Sequence, residues 1–127
     1  MAILINLALA HKNESTLYIY ENVLPHPVKR IFFIKGIQEG EQRGAGPIDA
    51  YEGIVCVDGQ CTVTVRNNQM GMQQEYLLES PEQCLIIEPK EWHIITNFLK
   101  GTVLMVFSDK SYEESLIVTD GRMEMTP

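Results

Sequence analysis

The chain has 127 residues, with 10 Lys+Arg against 17 Asp+Glu, a formal charge of −7 and a pI near 4.9. A hydrophobic share of 45% supplies one buried core at this length, so one domain spanning 1–127 is expected. The acid excess argues against nucleic-acid binding, which needs cations against phosphates, and against adsorption to an anionic membrane.

In chain order, Met1 to Ala10 (MAILINLALA) is apolar but lacks the basic region of a signal peptide. It also falls short of the roughly 20 residues of a membrane span, and reads as an N-terminal strand or short buried segment. His11 and His26 sit in turn-like stretches and read as solvated loop residues. Strand signals follow at Leu17 to Tyr20, Val28 to Ile34, Gly53 to Val57, Cys61 to Arg66 and Met72 to Leu78. They continue at Cys84 to Ile87, His93 to Phe98 and Thr102 to Phe107. Thr62-Val63-Thr64-Val65 alternates with period two, as a strand with one wet face does. Turn residues separate the runs: Glu39-Gly40, Asn67-Asn68, Ser80-Pro81, Glu88-Pro89 and Lys100-Gly101. Ser111 to Val118 suits a short helix, while Ile117-Val118-Thr119 equally suits a strand. The methionines read as core-packing residues. Short strands with regular punctuation point to an all-β sandwich, barrel or jelly roll.

The three cysteines are Cys56, Cys61 and Cys84. An odd, low count without a secretory signal fits reduced thiols and a cytoplasmic location. A two-residue turn at Asp58-Gly59 makes Cys56 face Cys61 across a hairpin, close enough to bond under oxidation.

Two stretches carry chemistry. Glu52 precedes Gly59 by the spacing of the first cupin motif (E, six residues, G), and His93 precedes Asn97 by the spacing of the second (H, three residues, N). Glu91 stands where that second motif usually has Gly. A longer set of features occurs in order: Val28-Lys29-Arg30-Ile31-Phe32-Phe33, Arg43-Gly44, Val55-Cys56-Val57-Asp58-Gly59 and Pro89-Lys90-Glu91-Trp92-His93. They are followed by Thr102 to Ser108 and Ser111-Tyr112-Glu113-Glu114. From about Thr16 to Leu116 the chain resembles the WxcM-like sugar 3,4-ketoisomerase cupins, the dTDP-4-keto-6-deoxyglucose 3,4-ketoisomerase type.

The resemblance implies a cupin jelly roll, a homodimer, and a nucleotide-linked keto-sugar as small-molecule ligand. It implies proton transfer between C3 and C4 with no metal and no cofactor, in the service of surface polysaccharide synthesis. That family places a histidine pair in the run after Arg43-Gly44. Aligned from Arg43 those positions hold Gly46 and Ile48, and aligned backwards from Cys56 they hold Ala45 and Pro47. Neither register supplies an imidazole.

A replacement set is available. His93 has a reference pKa near 6.5, suited to proton transfer, and Glu52 and Asp49 are candidate carboxylate bases. On one regular strand Asp49 and Glu52 face opposite ways unless a bulge follows Pro47. Arg30 and Arg43 suit a diphosphate, because guanidinium forks match phosphate oxygens. Trp92 could stack on a base or sugar or cap the core, and Tyr51 could line the cavity. Two further readings stay open: a non-catalytic small-ligand or interaction cupin, and a weakly metal-binding cupin using Glu52, His93 and Asp49.

Overall fold

The computed structural model describes residues 2–67, 71–111, 117–119 and 122–124. Its ordered elements are strands: β1 (Ile3–Asn6), β2 (Ala8–Lys12), β3 (Ser15–Ile19), β4 (Arg30–Ile34), β5 (Arg43–Pro47), β6 (Glu52–Asp58) and β7 (Cys61–Asn67). They continue with β8 (Met72–Leu78), β9 (Gln83–Ile87), β10 (Trp92–Thr96), β11 (Val103–Ser108), β12 (Ile117–Thr119) and β13 (Arg122–Glu124). Five form one antiparallel sheet in the order β1-β9-β6-β11-β4, and four form a second in the order β5-β10-β7-β8. These are the two halves of the cupin jelly roll. β2 pairs with β3, and β12 with β13, outside the two large sheets.

The main core lies between the halves. Ile34, Ile54, Cys56, Leu85, Ile87, Leu104 and Val106 from the five-stranded sheet meet Cys61, Val63, Val65, Leu78 and Ile95 from the other. In β7 the buried Cys61, Val63 and Val65 alternate with half-buried Thr62 and Thr64, matching the sequence alternation. β6 shows no such alternation, because its central residues are buried on both faces. Its Val55, with Cys84 and Phe107, joins a second core on the outer side of that sheet under Val23 and Leu24. The continuous apolar run in β6 follows from this double burial.

Several expectations shift. β5 is a strand the sequence reading leaves out: Gly44 and Gly46 both take positive φ, at 71° and 141°, and strand propensity is low there. β10 ends at Thr96 rather than Phe98, where Asn97 turns left-handed at φ 56°. His11 lies on β2, exposed, and not in a loop. Met72 is exposed rather than core-packed. β6 and β7 are not paired strands of one sheet: the Asp58-Gly59 turn carries the chain from one sheet to the other. Of the 111–118 reading, the strand at Ile117–Thr119 is present, and residues 112–116 lie outside the described ones. No helix among the described residues is long and apolar enough to cross a membrane.

Candidate active site

Cross-strand register decides which polar side chains enter the barrel. Glu52 pairs with Ile87 on one side and Ser108 on the other, and Ser108 pairs with Arg30. Glu52 shares its face with the core residue Ile54 two positions on, so Ile87, Glu52, Ser108 and Arg30 form one inward row. Glu52 is 2% exposed, and its Oε2 lies 3.5 Å from Nη2 of Arg30, which is 14% exposed. Ser108 is fully buried beside them. Arg30 also lies 5.1 Å from the centroid of Phe32. A buried carboxylate of this kind needs a cation, and Arg30 provides it.

The second sheet contributes His93. It pairs with Val65 on β7 and with Gly46 on β5, and shares the face of the core residue Ile95. It is 1% exposed, and neither ring nitrogen meets a hydrogen-bond partner in good geometry. Burial pushes its pKa down to about 4, opposed by the nearby Glu91 backbone, so the ring is neutral at pH 7. The residue opposite it, Gly46, carries no side chain into the barrel. The β9–β10 turn sets the placement of both groups, since Ile87 is the partner of Glu52 and His93 follows six residues later. Within that turn the Glu88 N–H donates to Oε1 of Glu91 at 2.9 Å, the Lys90 N–H donates to the Ile48 carbonyl at 2.8 Å, and Lys90 takes φ 68°. Glu91, at the usual Gly position of the motif, is therefore a buried turn cap.

The other candidates are distributed around this centre. Arg43 pairs with Ile95 on β10; its Nη1 donates to Oε2 of Glu41 at 3.0 Å, and its Nε is buried without a partner. That hydrogen bond lowers the Glu41 carboxyl below its ordinary pKa. Asp49 is separated from Glu52: it is 42% exposed, with its Oδ2 3.5 Å from Nζ of Lys110. The chain between β5 and β6 turns it outward, and no bulge brings the two carboxylates together. Trp92 neighbours His93 and so takes the opposite face, where its ring lies 4.2 Å under the Arg66 guanidinium. Tyr51 lines an outer cleft of about 490 Å³ with His26, Lys29, Pro89, Asp109 and Lys110, and its N–H donates to Oδ1 of Asp109 at 3.1 Å. Among the described residues no three His, Cys, Asp or Glu side chains gather around a common point, so the donor set of the metal-binding reading does not form.

Sequence reasoning missed Ser108 and the Arg30–Glu52 pairing. Strand parity within Thr102 to Ser108 carries the signal for the first: Ser108 shares parity with the buried Leu104 and Val106. The second needs the β11-mediated register, which no local pattern encodes.

The same chain can be set beside known proteins. A family model, FdtA (WxcM-like, C-terminal), matches residues 2–123. A TDP-4-oxo-6-deoxy-alpha-D-glucose-3,4-oxoisomerase of Aneurinibacillus thermoaerophilus is 31% identical over 93 residues, which are 72% of this chain and 66% of that enzyme's length. A 3,4-ketoisomerase structure from Helicobacter canadensis superposes with a TM-score of 0.78 at 25% identity, over 87% of this chain and 84% of that one. The sugar 3,4-ketoisomerase QdtA of Thermoanaerobacterium thermosaccharolyticum, solved in complex with TDP, gives a TM-score of 0.80 at 22% identity, over 89% and 83% of the two chains.

Proposed function

The chain belongs to the FdtA family of WxcM-like, C-terminal domains, and from that premise we propose that it is a single-domain, nucleotide-sugar-binding cupin that isomerises a dTDP-4-keto-6-deoxyhexose by moving a proton between C3 and C4. The observation that carries this reading is His93: a buried, neutral imidazole on the barrel's inner face, with both ring nitrogens unpartnered. A group so desolvated and unsatisfied is costly to the fold, which supports a role beyond packing. The similarity to a TDP-4-oxo-6-deoxy-alpha-D-glucose-3,4-oxoisomerase supports the substrate class.

In this reading the neutral His93 takes the proton from C3 and returns it to C4, while the hydroxyl proton on O3 passes to O4. Arg30, paired with Glu52 on the other sheet, offsets the negative charge of the enediolate formed between the two transfers. Arg43, with an unpartnered Nε, suits the diphosphate. Incubation with dTDP-4-keto-6-deoxyglucose in deuterated water tests this: the expected result is a 3-keto product carrying solvent deuterium, and absence of both ends the isomerase reading.

One observation favours the non-catalytic alternative. Gly46 stands directly across from His93, where an alignment from Arg43 would place one of the family's paired histidines. A thermal shift with dTDP separates the two readings. Stabilisation without deuterium incorporation leaves a binding protein, and no stabilisation removes nucleotide binding itself. The three free cysteines fit a reducing cytoplasm. Self-association as a homodimer belongs to the same proposal, supported by the exposed apolar side chains Ile31 and Phe33 on edge strand β4.

A further inference from the structure

The strand parity that turns Glu52, Ser108 and Arg30 into the barrel turns their chain neighbours out of it. Tyr51, Asp109 and Lys29 each lie one position along from that inward row. The ladder continues through them: the Lys29 N–H donates to the Ser108 carbonyl at 2.8 Å, and the Asp109 N–H to the Tyr51 carbonyl at 3.3 Å. Tyr51 accordingly packs against the second core, on the outer side of the five-stranded sheet. There the three line the cleft of about 490 Å³, together with His26, Pro89 and Lys110. A cleft of this size takes a small organic molecule.

Its walls are fixed by the chain itself. The Lys90 N–H donates to the Ile48 carbonyl at 2.8 Å, which holds the Pro89 turn against the β5–β6 link. Asp109 is 8% exposed and accepts the Tyr51 N–H on Oδ1 at 3.1 Å, which anchors the Tyr51 backbone. The Tyr51 and His26 rings lie 5.8 Å apart between centroids and 54° from parallel, so two flat surfaces meet at an angle. Lys29 and Lys110 bring two of the ten Lys+Arg of a chain of charge −7 to one small opening. The Nζ of Lys110 lies 3.5 Å from Oδ2 of Asp49, but both groups are partly exposed and the tie is weak. An ammonium carries three N–H donors, so an ion pair does not exhaust it. Position separates this cleft from the barrel site. Arg43, assigned above to the diphosphate, pairs with Ile95 beyond His93 on β10, whereas Pro89 lies before β10 begins.

We propose that this cleft is a second small-ligand site, on the outside of the five-stranded sheet and back to back with the Glu52–Arg30 pair, which takes a flat ring bearing an anionic group. The ring lies against Tyr51 and His26. The anion accepts hydrogen bonds from the Lys29 and Lys110 ammonium groups, beside the buried Asp109 carboxylate that keeps Tyr51 in place. Binding is non-covalent and leaves the barrel interior untouched.

Titration of the isotope-labelled full chain with phenyl phosphate, read as amide chemical shifts, tests this assignment. The expected result is a saturable shift centred on Tyr51, Asp109 and Lys110. Inorganic phosphate and phenol, each supplying one half of the contacts, are expected to bind about tenfold more weakly. Lys29→Ala combined with Lys110→Ala removes two side chains that are exposed or partly exposed, and is expected to weaken phenyl phosphate about tenfold. The amide dispersion of the fold and any thermal shift with dTDP are expected to match the unaltered chain. Absence of a saturable shift, shifts centred on Arg43 and His93 instead, either fragment matching phenyl phosphate, or an unchanged affinity in the double variant would overturn the assignment. None of these readouts depends on turnover, so the outcome is separable from that of the deuterium experiment.

Discussion

At the scale of single residues, the interior is defined by two polar groups that the fold bears at a cost. Burial lowers the pKa of His93 in the folded chain to about 4, from an ordinary value of 6.5. The unfolded chain therefore binds its proton more readily than the folded one. Its contribution to stability is fully present above pH 6.5 and is lost as pH falls from 6.5 toward 4. The difference corresponds to about 3 kcal/mol once both states are below those values. Urea unfolding at pH 7.5, 5.5 and 4 is expected to show a shallower pH dependence for His93→Gln than for the unaltered chain. Parallel curves for the two proteins would mean that the imidazole is not desolvated. The Arg30–Glu52 pair makes a second prediction. Arg30→Met leaves a carboxylate 2% exposed without this guanidinium, and is expected to cost about 3–5 kcal/mol. Adding Glu52→Leu to that variant is expected to recover most of the loss, measured as urea midpoints of the two variants.

At the scale of elements, the corner between β6 and β7 is set by Gly59. It takes φ +88°, and a Cβ built there would lie 2.7 Å from the Cα of Thr102, a backbone atom that cannot swing aside. Thr102 is itself fixed, since its hydroxyl donates to the Leu99 carbonyl at 2.6 Å and accepts the Gln60 N–H at 3.3 Å. Gly59→Ala is therefore expected to destabilise by more than about 2 kcal/mol, whereas Gly71→Ala, with open space around it, is expected to lose only the conformational contribution of about 1 kcal/mol. Equal midpoints for the two variants would contradict the close approach. These elements also show how far the sequence was legible. β7 was readable because one of its faces is wet and alternation survives. β6 was readable as a strand from its β-branched run, but that run conceals the double burial. β5 was not readable, since Arg43-Gly44-Ala45-Gly46-Pro47 has the composition of a loop and is held in the sheet by its register with β10. His93 and Glu52 could be picked out from motif spacing. The outward placement of Asp49 and Trp92 depended on the path of the β5–β6 link and on strand parity at the start of β10.

At the scale of the whole molecule, the five-stranded sheet is unusual in having an apolar outer face only partly covered. Val23 and Leu24 bury Val55, Cys84 and Phe107 near its centre. Toward the edge the cover ends. Ile31 and Phe33, paired with Phe107 and Met105, share that outer face and are 56% and 59% exposed. β4 is also the end strand of its sheet, the position at which a flat apolar edge invites association. The β2–β3 hairpin adds the exposed cross-strand pair Leu9 and Tyr18, on a two-stranded unit of a kind that is marginal alone in water. Both features are accounted for together if a second copy of the chain covers them, and a symmetric dimer is the commonest way for a chain to bury such a face. Sedimentation equilibrium of the unaltered chain is then expected to give twice the chain mass of 14.4 kDa. Ile31→Glu with Phe33→Glu places two charges on the outer face while leaving the inward Arg30, Phe32 and Ile34 untouched, and is expected to give the single-chain mass with the fold retained by circular dichroism. A single-chain mass for the unaltered protein, or a dimer that survives both substitutions, would place the association surface elsewhere or remove it.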